Sequence, residues 1–166
     1  MVLFFSGLVF LIFQMNNIEN IIEEKSFWKN FGLLGFSFGI LGIIFLYKIR
    51  PSVFSESGRR YSVVFGFILG LTALTISTAS FLNKNKAEKE SIESEYLIKR
   101  KSTGGKKNKS HWIFINMRKS ERRFEIKSKL WNELNAGNKV IVKSKKGHFE
   151  YEFVTEIKPT ANTVQN

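Results

Sequence analysis

"FGLLGFSFGILGIIFLY", residues 31–47, and "YSVVFGFILGLTALTISTASFL", residues 61–82, are the two stretches that decide the fold, and neither contains a charged side chain. At about 1.5 Å of helix per residue, each stretch approaches the roughly 30 Å of hydrocarbon in a bilayer. Between them, Arg50-Pro51 is typical of a helix end, because the residue before a proline avoids the helical region. The sequence therefore predicts a transmembrane helical hairpin over residues 31–82.

Small residues recur every three or four positions in both stretches, so they share one face of each helix. In lipid, small side chains let helix backbones approach closely and gain packing contacts. The pattern favours a hairpin that packs on itself, and the alternative is a docking face for another membrane subunit or for a second copy of the chain. The predicted helix-packing face consists of Gly35, Gly39, Gly42, Gly66, Gly70 and Ala73.

Residues 1–30 form a separate region, in which an apolar segment is followed by an amphipathic one. Residues 2–14 reach only about 20 Å as a helix, and they lack the basic start and the cleavage site of a secretory signal peptide. We therefore favour a short or tilted third span over a retained signal-like anchor. Residues 16–30 predict a helix that lies in the membrane interface, with an ordinary amphipathic connector as the alternative. Its apolar face consists of Ile18, Ile21, Ile22 and Trp28.

The short loop 48–60 indicates the orientation in the membrane. Its four basic side chains are Lys48, Arg50, Arg59 and Arg60. Lys and Arg in short loops tend to stay on the cytoplasmic side. If residues 2–14 also cross the bilayer, the chain after residue 83 lies outside; if they do not, both ends of the hairpin are equally able to lie inside. We favour a multi-pass protein of the cytoplasmic (plasma or inner) membrane with an extracytoplasmic C-terminal domain.

The remaining chain changes in character twice. Residues 83–95 mix Lys and Glu at helical spacings, which predicts a solvated helical stalk. Residues 96–158 contain short runs typical of β-strands, with a helix expected between the third and the fourth, and the clearest strand is predicted over 148–154. The order β-β-β-α-β-β is similar to that of the OB-fold, with an SH3-like barrel as the alternative. The predicted fold class is thus an α+β membrane protein: a transmembrane hairpin, a small β-barrel-like domain and a disordered tail at 159–166.

The charge of the second half suggests a binding surface. The net charge is +12, and all but six of the 26 Lys and Arg residues follow residue 82. OB-type domains commonly bind ligands through their first and last hairpin loops. Both of these loops are lysine-rich in this sequence, which predicts either an anion-binding rim or solvated hairpin tips. Trp112 and Phe114 share a strand face, which indicates either core packing or a platform for stacked bases. The predicted rim consists of Lys106, Lys107, Lys109, Lys145 and Lys146.

The sequence gives little support for catalysis. It contains neither cysteine nor aspartate, and we find no nucleophile, phosphate-loop or metal-ligand motif. It accordingly predicts a protein that is not an enzyme, with no catalytic residues, no cofactor and no metal. The leading interpretation is an interaction or accessory module tethered to the lipid bilayer, whose partner is another membrane or envelope protein. The alternative is a tethered polyanion-binding module, with nucleic acid as ligand only if the C-terminal domain is cytoplasmic, and anionic lipid or glycan otherwise.

Overall fold

The computed structural model describes residues 2–105, 110–118 and 120–160. The chain divides into two compact units. Unit 1 is the chain up to Lys86 together with His148–Tyr151, and unit 2 is Ala87–Gly147 together with the chain from Glu152 onwards. The unit boundary therefore does not follow the sequence: four residues of the C-terminal half belong to the N-terminal unit.

Three long apolar helices form unit 1: α1 (Val2–Glu19), α2 (Glu24–Ile49) and α3 (Ser57–Asn85). A short 3-10 turn at Pro51–Phe54 lies between α2 and α3. All three helices are long and apolar enough to cross a membrane, as judged by length and composition. The two helices of the predicted hairpin are thus confirmed as long apolar helices, and the N-terminal segment adds a third.

Helix α3 is the centre of unit 1, because both α1 and α2 pack against it. Gly7 lies next to Gly70, and Asn17 lies next to Lys84. Residue numbers therefore increase in the same direction along α1 and α3, so the two helices run parallel. Helix α2 runs antiparallel to α3. The turn between α1 and α2 therefore lies at the same end of unit 1 as the end of α3, and loop 50–56, with the basic residues of 48–60 in and beside it, lies at the other end.

The interfacial helix predicted over residues 16–30 is not a separate element. Helix α1 continues to Glu19, residues 20–23 form a turn, and α2 begins at Glu24. Trp28 is half-buried, and the three isoleucines of this apolar face are almost completely buried, at 0 % exposure for Ile18 and 4 % for Ile22. Burial inside unit 1 removes these side chains from any interface, so the amphipathic pattern reflects packing within the protein.

The predicted stalk over residues 83–95 also differs from the structure. Helix α3 ends at Asn85, and the first strand already begins at Ile92. Ion pairs between Lys and Glu on an exposed helix contribute only about 0.2–0.5 kcal/mol each. Backbone pairing outweighs them here, beginning with the Glu88 amide, which donates to the Lys146 carbonyl at 3.0 Å.

Unit 2 is a curled five-stranded antiparallel sheet, a half-barrel, with one short helix. The strand order is β3-β2-β1-β4-β5, and the predicted order β-β-β-α-β-β along the chain is confirmed. Its elements are β1 (Ile92–Gly104), β2 (Ser110–Met117), β3 (Ser120–Glu125), α4 (Ser128–Glu133), β4 (Lys139–Lys146) and β5 (Glu152–Pro159).

The long strand β1 produces the curl of the sheet. Its first half, Ile92–Leu97, pairs with β4, and its second half, from Ile98, pairs with β2. The register shifts between Ile98 and Arg100, where an irregularity of this kind bends a strand and increases its twist. One strand thus belongs to both halves of the sheet, and its bend turns them toward each other.

The core of unit 2 lies on one face of this sheet. Along β2, Ile113, Ile115 and Met117 point to that face and are at most 1 % exposed. The intervening residues Trp112 and Phe114 point to the opposite face and are only half-buried. The other side chains that are at most 2 % exposed in this core are Ile98, Phe124, Leu134, Val140 and Val142. The two faces of β2 are therefore chemically distinct, one closed and apolar and the other open.

Candidate functional site

Three residues of the predicted glycine face, Gly35, Gly39 and Gly42 on α2, lie against α3. A Cβ atom built on Gly35 would lie 2.6 Å from the Thr72 Cα atom, and one on Gly39 would lie 2.8 Å from the Ile68 Cα atom. Only glycine fits such backbone contacts. A Cβ atom on Gly42 would meet the Phe67 ring at 3.1 Å, which is a contact with a side chain rather than with backbone.

The remaining predicted positions, on α3, divide between the contact with α1 and open space. A Cβ atom on Gly70 would lie 2.9 Å from the Leu3 carbonyl oxygen, so Gly70 serves the packing of α1. Ala73 lies on the same side, 3.3 Å from a Cβ atom built on Gly7. Gly66 has no atom within 4 Å of such a Cβ. Sequence reasoning missed Gly7, whose signal was a single glycine within an apolar segment.

A chain of polar side chains joins α1 to α3 beyond these glycines. The Lys84 amine donates to Asn17 Oδ1 at 2.7 Å, and Asn17 Nδ2 donates to Gln14 Oε1 at 2.8 Å. The Ser80 hydroxyl lies 3.5 Å from the same Gln14 oxygen, at the limit of a hydrogen bond. Gln14 and Ser80 are both buried. Such bonds between apolar helices contribute about 0.6 kcal/mol on average and fix which helix faces meet.

Residues 148–151 form a loop of unit 1, although the sequence predicts a strand over 148–154. Asn83, which is 1 % exposed, holds this loop with three hydrogen bonds. Its Nδ2 donates to the Tyr151 carbonyl at 2.9 Å, and its Oδ1 accepts from the Phe149 amide at 3.0 Å. Its own carbonyl accepts from the His148 amide at 3.1 Å. Glu150 has a positive φ of 66°, which no strand permits, so β5 begins only at Glu152.

Aromatic rings complete the contact of this loop with α2. The Tyr151 ring meets the Phe27 ring edge-on, with centroids 5.2 Å apart, and the Phe149 ring lies 5.1 Å from the Phe31 ring. Asn30 Nδ2 donates to the Tyr151 hydroxyl oxygen at 2.7 Å. The alternation that suggested a strand therefore arises because both aromatic rings of the loop face α2.

The predicted lysine rim is described only in part. Lys106, Lys107 and Lys109 lie outside the described residues. Lys145 and Lys146 lie at the end of β4 and are both half-buried. The Lys146 carbonyl also accepts the Glu88 amide. These two lysines thus belong to the sheet itself, and the convergence of the five stays a prediction.

The open face of β1, β2 and β3 carries a set of aromatic and charged side chains that the sequence did not single out together. The Arg100 guanidinium lies 3.6 Å from the centroid of the Phe114 ring, and the Arg123 guanidinium lies 4.9 Å from that of Trp112. Arg100 also donates to Glu121 at 2.8 Å. Hydrogen bonds from Arg100 and from Lys99 lower the pKa of the Glu121 carboxyl. This carboxylate is therefore charged at neutral pH.

A polar cluster lies on the closed face where α4 covers the sheet. The Lys101 amine donates to the carbonyls of Trp131 and Leu134, and it lies 3.9 Å from the Trp131 ring centroid. Burial lowers the pKa of this amine. The His111 ring lies 4.9 Å from the same indole. Lys101 thereby satisfies carbonyls at the end of α4, which is a structural role.

No group of His, Cys, Asp or Glu side chains in the described part of the chain is arranged to hold a metal ion. Comparison with known protein families, curated proteins and solved structures finds no match.

Proposed function

We propose that this chain is an integral protein of the cytoplasmic membrane, in which α1, α2 and α3 cross the bilayer and unit 2 serves as an interaction module for a membrane or envelope partner. The observation that carries the proposal is the outward surface of the helices. Large apolar side chains are exposed on all three of them, including Phe13 at 76 %, Phe45 at 67 % and Phe65 at 60 %. Water-soluble monomers rarely expose contiguous apolar surfaces of this extent, whereas lipid solvates them.

The orientation of the helices supports an extracytoplasmic unit 2. Loop 50–56 and the end of α3 lie at opposite ends of unit 1, so a bilayer crossed by α3 separates them. The end with the loop carries Lys48, Arg50, Arg59 and Arg60, and the other end mixes basic side chains with Glu19, Glu23 and Glu24. Of the two short connections between helices, loop 48–60 carries these four basic residues, whereas the segment 16–30 carries only Lys25 and Lys29, and this difference favours a cytoplasmic loop.

We assign unit 2 to the OB type because of the way its strands pair. The sheet runs from β3 to β5, and β1 pairs with both β2 and β4. Pairing β3 with β5 would close this row into a five-stranded barrel, and the OB-fold is a partly open barrel of five strands. Domains of this type use one sheet face and two hairpin loops for binding, which supports a binding role for the open face here.

Cysteine labelling tests the orientation, since the chain has no cysteine of its own. Ser55→Cys and Asn132→Cys place a thiol in the loop and in α4, and both positions are exposed. With a membrane-impermeant maleimide on intact cells, we expect Asn132→Cys to react and Ser55→Cys to react only after permeabilisation. Labelling of Ser55→Cys alone would reverse the orientation, and recovery of both variants in the soluble fraction would contradict the membrane proposal.

Polyanion binding is the second candidate, supported by the net charge of +12. If the predicted rim binds anions, replacing Lys106, Lys107, Lys109, Lys145 and Lys146 by Gln in the full chain should weaken heparin binding and flatten its salt dependence. Each lost phosphate-like contact reduces the slope of log affinity against log salt by about 0.7–0.9. Replacing Lys127, Lys129 and Lys139 by Gln controls for net charge, and equal losses in both sets would assign the effect to bulk charge.

A further inference from the structure

The open face of β1, β2 and β3 contains two cross-strand rows. Ser102, Trp112 and Glu125 form one row, and Arg100, Phe114 and Arg123 form the next. Residues directly opposite each other on neighbouring strands point to the same side of the sheet. These six side chains therefore share one surface, which we call the tryptophan face.

The Trp112 ring lies against a neighbouring glycine. A Cβ atom built on Gly104 would lie 2.4 Å from Trp112 Cζ3 and 2.6 Å from Cη2. The indole therefore covers the Gly104 backbone, and no side chain at that position holds it off the sheet. The ring is only half-buried, and so are the neighbouring Ser102 and Ser110. One side of the ring is thus supported, and small hydroxyl residues adjoin it.

Charge on the described part of the tryptophan face and its edge is close to balance, in contrast to the chain as a whole. Arg100, Arg123 and Lys99 carry the positive charge, and Glu121 and Glu125 carry the negative charge. Glu121, which is opposite Asn116 at the edge of the face, accepts from both Arg100 and Lys99. A phosphate chain laid across this surface would meet two carboxylates, which repel it. Paired carboxylate and guanidinium groups instead suit a ligand with many hydroxyl groups, which both accepts and donates hydrogen bonds.

From this arrangement we propose that the tryptophan face binds an uncharged polysaccharide, with one sugar ring stacked on Trp112 and its hydroxyl groups bonded by Glu125 and Arg123. Glu125 is directly opposite Trp112, and the Arg123 guanidinium lies 4.9 Å from its ring. A carboxylate accepts from sugar hydroxyls and a guanidinium donates to them. OB-type domains are known to bind oligosaccharides on this kind of surface.

The inference rests on the proposed role of unit 2 as an interaction module and names the class of its partner. It concerns side chains of unit 2 alone, so it is tested by binding and not by topology. If the helices do not span a membrane, the labelling experiment fails while sugar binding persists. If the tryptophan face binds no sugar, the membrane orientation is unaffected.

The test is calorimetric titration of the full chain in a bilayer nanodisc, which avoids detergents with sugar headgroups. The probes are cellotetraose, maltotetraose and chitotetraose. We expect at least one to bind, with an affinity that is unchanged between about 50 and 500 mM NaCl because no charge is neutralised. Trp112→Leu should weaken that binding by about tenfold or more, as expected for an aromatic anchor. Glu125→Gln should weaken it severalfold.

Two further variants make the result decisive. Lys158→Gln changes an exposed charge on β5 and should leave the affinity unchanged. Glu125→Gln changes an exposed side chain, so it keeps the test valid even if Trp112→Leu does not fold. Failure of all three sugars to bind, or undiminished binding by Trp112→Leu and Glu125→Gln, would overturn the proposal. The proposal would also be overturned if the protein bound heparin or single-stranded DNA in a salt-dependent way but bound none of the three sugars, and if Trp112→Leu abolished that binding.

Discussion

Leucine at Gly35 is expected to separate α2 from α3 and to abolish recovery of folded protein. The Cβ atom alone would lie 2.6 Å from the Thr72 Cα atom, and backbone cannot move away as a flexible side chain can. Overpacking of an ordinary core costs about 1–3 kcal/mol, and a clash with backbone exceeds that range. The measurement is the yield of monodisperse protein after detergent extraction, together with its thermal unfolding.

Matched controls for this prediction lie on the same helices. Gly32 and Gly66 have no atom within 4 Å of a built Cβ atom, so Gly32→Leu and Gly66→Leu should behave like the unchanged protein. Gly70→Leu should resemble Gly35→Leu, because its Cβ atom would lie 2.9 Å from the Leu3 carbonyl oxygen. If leucine at all four positions has the same effect, the glycines do not determine the packing of these helices.

Alanine at Asn83 is expected to release the loop 148–151 and to lower the stability of unit 1 markedly. The change removes one bond to the Tyr151 carbonyl and one from the Phe149 amide. Leaving a buried polar group without its partner costs about 1–3 kcal/mol, so two such groups cost at most about 2–6 kcal/mol. Thermal unfolding of the full chain, followed by circular dichroism, measures this loss of stability.

Asn85→Ala is the control for this second prediction, since Asn85 is exposed at the end of the same helix. It should leave the unfolding temperature nearly unchanged. Tyr151→Phe provides a weaker test of the same contact, because it removes only the bond from Asn30. An unfolding temperature of Asn83→Ala equal to that of Asn85→Ala would show that the Asn83 side chain does not hold the loop.

Local patterns in the sequence predicted the helices and strands better than they predicted which segments pack against each other. Uncharged stretches of helical length predict α2 and α3 directly, because their signal lies within each segment. The order of strands and the position of α4 follow in the same way from alternation and capping. The extra helix α1 was expected as a short segment, and the structure extends it to Glu19. Its continuation was hidden by the polar side chains of Gln14 and Asn17, which bond to each other and to α3.

Contacts between distant segments were beyond reach of the sequence. Phe149 and Tyr151 alternate with polar residues as in a strand, and only the presence of Phe27, Phe31 and Asn83 changes their conformation. The tryptophan face was missed for the same reason. Trp112 and Phe114 were recognised as a pair, but the arginines that flank them come from β1 and β3, and the pairing register that unites them is not a local property.

The loop 148–151 has a consequence for the order in which the protein is made. Synthesis proceeds from the N-terminus, so all three helices leave the ribosome long before His148. Until then the side chain of Asn83 has no Phe149 amide or Tyr151 carbonyl to bind. A chain interrupted within unit 2 would therefore carry three intact helices with an unfinished end. Completion of unit 1 therefore requires that translation has passed β4.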